Sequence, residues 1–270
     1  VNTFNRLFSR DEVYFGLFET SADARWKGNL KKYGICVEED PDGDGTDDCK
    51  LGEVLDVGGD PAVVDNPTAP DDGQFEKTAT SVWTTGEDGR ETTLGGAGAQ
   101  ITDYQVRNFY TEFNTTEGTA GTGVSLSGSG FAFDSTLWNE SAISSVREEV
   151  CPDPTVLTSG SDCENRMLWM MGADIQNEDN DVSTDTRWWF HDVLHSSPVS
   201  VTYGQDASHN FIDKVLVGTN DGALHFINGD TGVEEWAFLP RAVLGKQQEL
   251  YDNTAPEHIY GLDSTPILAV

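Results

Sequence analysis

The feature that most constrains the fold lies between residues 198 and 239, where short strands alternate with tight turns. PVSVTYG alternates like a half-buried strand, and KVLVGTNDGALHFINGDTGVEEWAFLP contains three more short strands in direct succession. We predict these three at 215–217, 223–227 and 234–239, separated by Asn-Asp-Gly and Gly-Asp-Thr-Gly turns. Four strands joined in this way form an antiparallel meander, the shape of one β-propeller blade. Residues 198–239 are therefore the best-defined blade of an all-β chain.

The rest of the chain predicts a few further elements between long irregular stretches. VYFGLF and NLKKYGI have the alternation of strands, and HIYGLDSTPILAV would begin a next blade. A helix is expected over 135–150, where Ser135 would be the cap and Leu137, Ile143 and Val146 share one side. A second short helix is expected over 241–253. The irregular stretches are an acidic loop insertion at 36–74 and a Gly/Ser/Thr-rich, flexible insertion at 114–130.

The net charge limits the partners that the protein can have. The chain of 270 residues carries 47 acidic and 16 basic residues, which gives a formal charge of −31. Such a surface repels nucleic acid and anionic lipid, and it suits divalent cations or high salt. No window approaches the roughly 18 apolar residues of a membrane-spanning helix. The first residue is Val rather than Met, so we expect a fragment of a longer protein.

The four cysteines form two local pairs, each bracketing a polar loop. This arrangement predicts the disulfides Cys36–Cys49 and Cys151–Cys163, and hence export through an oxidising compartment. Zinc is the competing interpretation, but no CxxC motif occurs and the histidines are not near the cysteines in the sequence.

The stretch VEEDPDGDGTDDCK, residues 37–50, has the spacing of a calcium loop. With Asp40 as position 1, the pattern reads D-x-D-x-D-G-x-x-D, and glycine at position 6 permits the sharp turn. Leu51 stands where an EF-hand has its bidentate glutamate, so Glu53 or water would have to substitute. The alternative is a solvated acidic loop. The predicted Ca²⁺ ligands are the side chains of four aspartates and one main-chain carbonyl: Asp40, Asp42, Asp44, Asp48 and Thr46.

Other candidate residues have weaker patterns. NEDNDVSTD repeats the aspartate spacing but has Val182 in place of the glycine, so a solvated loop is favoured there. His195 is not tied by any motif to a nucleophile or carboxylate and is interpreted as a structural histidine. His225 lies on an alternating strand and is expected to pack inside the blade. Three methionines and a tryptophan are interpreted as core: Met167, Met170, Met171 and Trp169.

The blade at 198–239 resembles a quinoprotein-type propeller repeat. VGTNDGALHFINGDTGVEEWAF follows the order of strand, NDG turn, strand, TG turn and E-x-W-x-F. The resemblance implies that Trp236 docks this blade on its neighbour, and that Gly232 occupies a tight turn. It indicates a fold and not a function, because one fold serves many functions.

Other segments resemble, in order along the chain, the C-terminal propeller of PilY/PilC-like type IV pilus tip adhesins and assembly factors. They are NRLFSRDEVYFGLFE, RWKGNLKKYGI, ATSVWTTGEDGRETTLGGAGAQI, DVLHSSPVSVTYG and HIYGLDSTP. The resemblance does not explain the 114–130 insertion or the loop between Cys151 and Cys163. It implies that residues 1–270 are the first blades of one seven-bladed propeller.

The same resemblance implies a non-enzymatic, calcium-binding protein of the cell surface or pilus tip that promotes pilus assembly and adhesion. Minor pilins or the pilus tip, and a host or surface receptor, would be its partners. The rival function is that of a PQQ-dependent dehydrogenase, which shares the blade motif. That enzyme needs a quinone-binding set and a catalytic Asp, and this sequence has neither a vicinal Cys-Cys pair nor a matching ligand set. A passive, salt-adapted domain is the third possibility.

Overall fold

Nine strands in two sheets and three short α-helices make up the part of the chain that the computed structural model describes. β-Structure therefore predominates, as the sequence predicts. The described residues are 11–113, 122–125, 141–156, 158, 160–179, 186–209, 211–254 and 257–268.

The first sheet contains β1 (Glu12–Glu19), β2 (Lys27–Ile35) and β3 (Val54–Leu55), in that order and antiparallel. The two strands predicted here are confirmed. The central strand buries a lysine among its apolar residues: Lys31 Nζ donates to the carbonyl oxygens of Asp88, Gly89 and Glu91 at 2.6, 3.1 and 2.9 Å. These bonds replace water around the ammonium, so β2 can be covered on both faces.

The second sheet is built on the predicted meander. Its strands β6 (Val199–Gln205), β7 (Phe211–Gly218), β8 (Leu224–Asn228) and β9 (Glu234–Leu239) pair antiparallel in sequence order. The strand and turn predictions for this segment are confirmed, although β7 begins four residues before the predicted 215–217. The turns are short because the chain reverses at Gly222 and Gly232, both with positive φ.

Two strands from earlier in the chain extend this sheet beyond the meander. β4 (Phe109–Phe113) pairs parallel with β9, and β5 (Thr122–Ser125) pairs antiparallel with β4, giving the order β5-β4-β9-β8-β7-β6. The sequence analysis placed no strand here. Apart from 122–125, the insertion predicted at 114–130 lies outside the described residues.

The helices are α1 (Ser141–Val150), α2 (Asp162–Met171) and α3 (Lys246–Asp252), with 3₁₀ turns at Ala97–Ala99, Tyr104–Val106 and Arg241–Val243. The first helix confirms residues 141–150 of the prediction, while 135–140 lie outside the described residues. The helix predicted over 241–253 is divided between the last 3₁₀ turn and α3. The sequence analysis did not predict α2, although Ser161 caps it by accepting from the Glu164 amide at 3.3 Å.

The helices cover one face of the meander and form the larger part of the core with it. Val146 and Val150 of α1 pack with Met167, Met170 and Met171 of α2 against Ala237 and Leu239 of β9. The disulfide Cys151–Cys163 joins the two helices, and both cysteines are buried. The interpretation of the three methionines and Trp169 as core is confirmed.

Trp83 joins the two sheets. Its Nε1 donates to the Gly229 carbonyl oxygen at 3.1 Å, and its ring lies 2.6 Å from the position that a Cβ on Gly232 would occupy. Position 232 therefore needs glycine for its φ of +73° and for this close approach. Trp236, by contrast, stacks on Phe226 of the neighbouring strand with centroids 4.7 Å apart. Its predicted docking on a second blade stays a prediction.

Candidate metal centre

The acidic loop connects β2 to β3 and is closed at its base. The Cys36 amide donates to the Glu53 carbonyl at 2.9 Å, and the Gly52 amide donates to the Cys36 carbonyl at 2.8 Å. The Cys36–Cys49 disulfide adds a covalent closure, so both predicted disulfides are confirmed. Strands flank the loop on both sides, which rules out the helix–loop–helix of an EF-hand.

Within this loop the chain folds around Asp40. One carboxylate oxygen accepts from the Asp44 amide at 3.1 Å and the other from the Gly45 amide at 3.0 Å. Asp42 accepts from the Asp44 amide at 3.0 Å, and Asp44 accepts from the Thr46 amide at 2.7 Å. These bonds hold three carboxylates side by side, while the second oxygens of Asp42 and Asp44 point to no donor in the described chain.

The turn that permits this arrangement depends on glycine. Gly45 has φ of +88° and Gly43 has φ of +74°, values that side-chain-bearing residues rarely adopt. Position 6 of the predicted calcium pattern is Gly45, and its conformation is the sharp turn that the pattern requires.

The structure brings together three of the predicted ligands. One oxygen from each of Asp40, Asp42 and Asp44 lies within 4.8 Å of the others. Asp48 does not belong to this trio. Its pKa is nevertheless raised, first by loss of hydration and then by the negative charges of Asp42, Asp44 and Asp40. The Thr46 amide takes part in the turn. The predicted role of the Thr46 carbonyl as a calcium ligand stays a prediction.

The spacing of these oxygens fits a shared cation. Ca²⁺ binds oxygen at roughly 2.3–2.6 Å, so two ligands on opposite sides of the ion are about 4.6–5.2 Å apart. The three oxygens all lie within 4.8 Å of one another, so none of their separations exceeds what a single ion can span. Three carboxylates are fewer than the roughly six to eight oxygens that Ca²⁺ takes, so water, Asp48 or main-chain carbonyls would complete the shell.

The other candidates fall outside this loop. Of the NEDNDVSTD spacing, Asp181 and Asp185 lie outside the described residues. His195 Nδ1 is 2.6 Å from the Asp263 carboxylate and its side chain is 55% exposed. Its ring also stacks on Tyr260 with centroids 5.9 Å apart, and these two contacts are consistent with a structural role. His225 is fully buried, as predicted for the blade.

Around His225 the structure reveals a buried polar network that the sequence analysis missed. Glu234 receives the Arg107 guanidinium at 2.8 and 3.0 Å and lies 2.7 Å from His225 Nδ1. Burial opposes ionisation of Glu234, but Arg107 and His225 lower its pKa to about 2. His225 Nε2 is 2.9 Å from Thr219 Oγ1, which donates to Asp221. Arg107 lies just before β4 and Glu234 is the first residue of β9, so this ion pair links the two strands that pair in parallel. No local sequence pattern predicts the pair, because its residues are far apart in the chain.

The chain is similar over part of its length to a type IV pilus biogenesis factor. That factor is PilY1 of Pseudomonas aeruginosa strain UCBPP-PA14; the two are 37% identical over an alignment of 101 positions that covers 29% of this chain and 8% of PilY1. The chain thus spans less than a tenth of this curated relative. No protein-family model and no solved structure matches it.

Proposed function

We propose that this chain is part of an extracellular, non-enzymatic type IV pilus factor that binds Ca²⁺ at the 36–53 loop. The observation that carries the proposal is the trio of carboxylates within 4.8 Å, in a disulfide-closed loop of a chain similar to PilY1. The ligands are Asp40, Asp42, Asp44 and Asp48 with the Thr46 carbonyl. Calcium would fix the loop at the end of the β2–β3 hairpin.

Electrostatics supports a cation in this loop. The carboxylates repel one another, and the pKa of Asp48 is raised first by loss of hydration and then by this repulsion. A divalent cation removes the repulsion and turns it into attraction. The disulfide keeps the loop ends together, so less chain entropy is lost when the ion binds.

The proposed scaffold is a β-propeller, with the β6–β9 meander as one blade. Its four antiparallel strands and short turns have the form of a blade, and HIYGLDSTPILAV would begin the next one. A propeller presents a broad rigid face for recognition. Pilus components and a surface receptor are the partners that follow from the proposal.

The cellular location in the proposal is the pilus or cell surface. Two disulfides fit an oxidising compartment. Among the described residues, no helix is long and apolar enough to cross a membrane.

Calorimetric titration with CaCl₂ tests the metal site, with thermal unfolding as a second readout. We expect one saturable site with Kd on the order of 10⁻⁵–10⁻³ M, as in extracellular calcium modules. Calcium should raise the midpoint of thermal unfolding, because it binds the folded chain only. Asp44→Ala should abolish both effects. Asp47→Ala is the matched control, since Asp47 lies in the same loop and is exposed, but falls outside the pattern. Absence of saturable binding, or equal loss in both variants, would refute the site.

A further inference from the structure

A second recess lies at the opposite end of β2 from the acidic loop. It has a volume of about 660 Å³ and is partly open to solvent. We call it the Trp188 groove; its lining includes Lys27, Thr102, Asp103, Gln105, Asp179, Arg187 and Trp188. Lys27 is the first residue of β2 and the acidic loop follows its last, so about 26 Å of strand separates the two sites.

The indole of Trp188 is held in place on several sides. Its Nε1 donates to the Gly28 carbonyl at 2.9 Å, and the buried Arg187 donates to the Trp188 carbonyl at 3.1 Å. The ring also lies against Gly98, where a Cβ would be only 2.3 Å from Cζ2. Glycine at 98 therefore makes room for the ring. An aromatic surface fixed in this way loses little freedom when a ligand binds.

Hydrogen-bond donors and acceptors line the groove together with this ring. Gln105 and Thr102 are exposed and offer an amide and a hydroxyl, which donate as well as accept. Asp103 uses one oxygen to accept from the Gln105 amide at 2.9 Å, and Lys27 contributes donors. A ligand with many hydroxyl groups matches such a mixture, since each hydroxyl both donates and accepts.

The charges of the groove and of the whole chain further restrict the class of ligand that it can bind. The groove has two cationic side chains, Lys27 and Arg187, and two anionic ones, Asp103 and Asp179, so it favours neither sign. The chain as a whole carries −31, which opposes the approach of anions. Phosphorylated or acidic ligands are thereby disfavoured relative to neutral ones.

We propose that the Trp188 groove binds a neutral saccharide, whose apolar C–H face lies on the indole while its hydroxyls bond to Gln105, Thr102 and Asp103. The volume suits a small ligand or the end of a chain of sugars. As a means of attachment the groove rests on the proposed pilus function, but the binding itself does not.

The test uses the full chain and short neutral oligosaccharides of glucose, galactose, mannose or N-acetylglucosamine. An array screen is followed by titration calorimetry of the best binder. Trp188→Ala should weaken binding at least about tenfold, as truncation of a central aromatic contact in a binding site does. Gln105→Ala, at an exposed position that cannot disturb the core, should weaken it several-fold. Trp236→Ala and Gln205→Ala are matched controls outside the groove and should leave affinity unchanged.

Three results would overturn the proposal: no saturable binding of any neutral sugar at millimolar concentration, equal affinity in Gln105→Ala and the parent chain, or preference for sialylated or uronic-acid sugars. Calcium titration of the same variants separates the two sites. Asp44→Ala should retain sugar binding, and Gln105→Ala should retain calcium binding. Loss of one activity alone therefore tells which proposal has failed.

Discussion

The meander and the acidic loop treat charge in opposite ways. In the meander, Glu234 is buried and its charge is matched by Arg107 and His225 within hydrogen-bonding distance. In the loop, Asp40, Asp42 and Asp44 crowd together at the surface and face no cation among the described residues. The folded chain thus neutralises the buried carboxylate by itself, whereas the carboxylates of the loop would be neutralised only by the Ca²⁺ proposed above.

The same contrast extends over the molecule. The chain has 47 acidic and 16 basic residues, yet among the described residues seven basic side chains are buried against five acidic ones. Basic side chains are thus buried more often than acidic ones, relative to their numbers in the chain. The exposed surface is therefore even more acidic than the composition indicates. The buried basic residues are Lys31, Lys32, Arg107, Arg147, Arg166, Arg187 and Lys214.

The largest loss of stability is expected when the buried ion pair between Arg107 and Glu234 is broken. Glu234→Gln should destabilise the chain by about 3–5 kcal/mol, because Arg107 would remain buried without its anion. Asp65→Asn removes the partner of Lys50 in a pair whose side chains are both mostly exposed, and it should have little effect on stability. Urea unfolding of both variants measures the difference. Similar costs for the two would contradict the distinction between a buried and a surface pair.

The second-largest effect is expected from low pH, which should reduce the stability of the folded chain. Burial lowers the pKa of His191 from 6.5 to about 4, against the opposing charge of Asp221, so the folded chain holds the neutral imidazole. This stability is present above pH 6.5 and is lost as pH falls towards about 4, by an amount on the order of a few kcal/mol. Glu234 acts in the same direction at still lower pH, since its pKa falls from 4.5 to about 2.

Unfolding in urea across this pH range checks the expectation. His191→Gln keeps an acceptor for Arg187, which lies 3.1 Å from Nε2, but does not titrate. The variant should therefore show a flatter dependence on pH between 6.5 and 4. An unchanged slope would assign the acid sensitivity to other groups.

The smallest effect on stability is expected from the loop disulfide. Each bridge closes a short ring, which is worth about 3 kcal/mol in the chain-entropy model when the bridge is unstrained. Cys151 and Cys163 are buried between α1 and α2, so the double serine variant should lose that amount or more. Cys36→Ser with Cys49→Ser removes a bridge that is buried only at Cys36 and that closes a loop of mostly exposed residues, so its main result should be weaker calcium binding. Equal losses of stability would show that the acidic loop is part of the cooperative core.

Local patterns accounted for the meander, the β1–β2 strands, both disulfides and the aspartate spacing. In each case the signal lies within a few neighbouring residues: alternation, Asx-Gly turns, or cysteines 12 and 13 positions apart. Helix α2 could have been found in the same way, since Ser161 and Glu164 form a capping-box pattern. The sequence analysis interpreted the apolar residues of α2 only as part of the core and did not use the cap to predict a helix.

The sequence by itself therefore determined the strands of the meander, its turns and the order of the candidate calcium ligands, because these depend on backbone preference and spacing. Only the tertiary structure decided that β4 joins β9 in parallel, that Lys31 is buried among carbonyls, and that Lys27 and Trp188 line one groove. These contacts join residues 57 to 161 positions apart. Which distant groups meet is set by how sheets and helices pack to cover apolar surface and pair buried charges, and no local pattern encodes that choice.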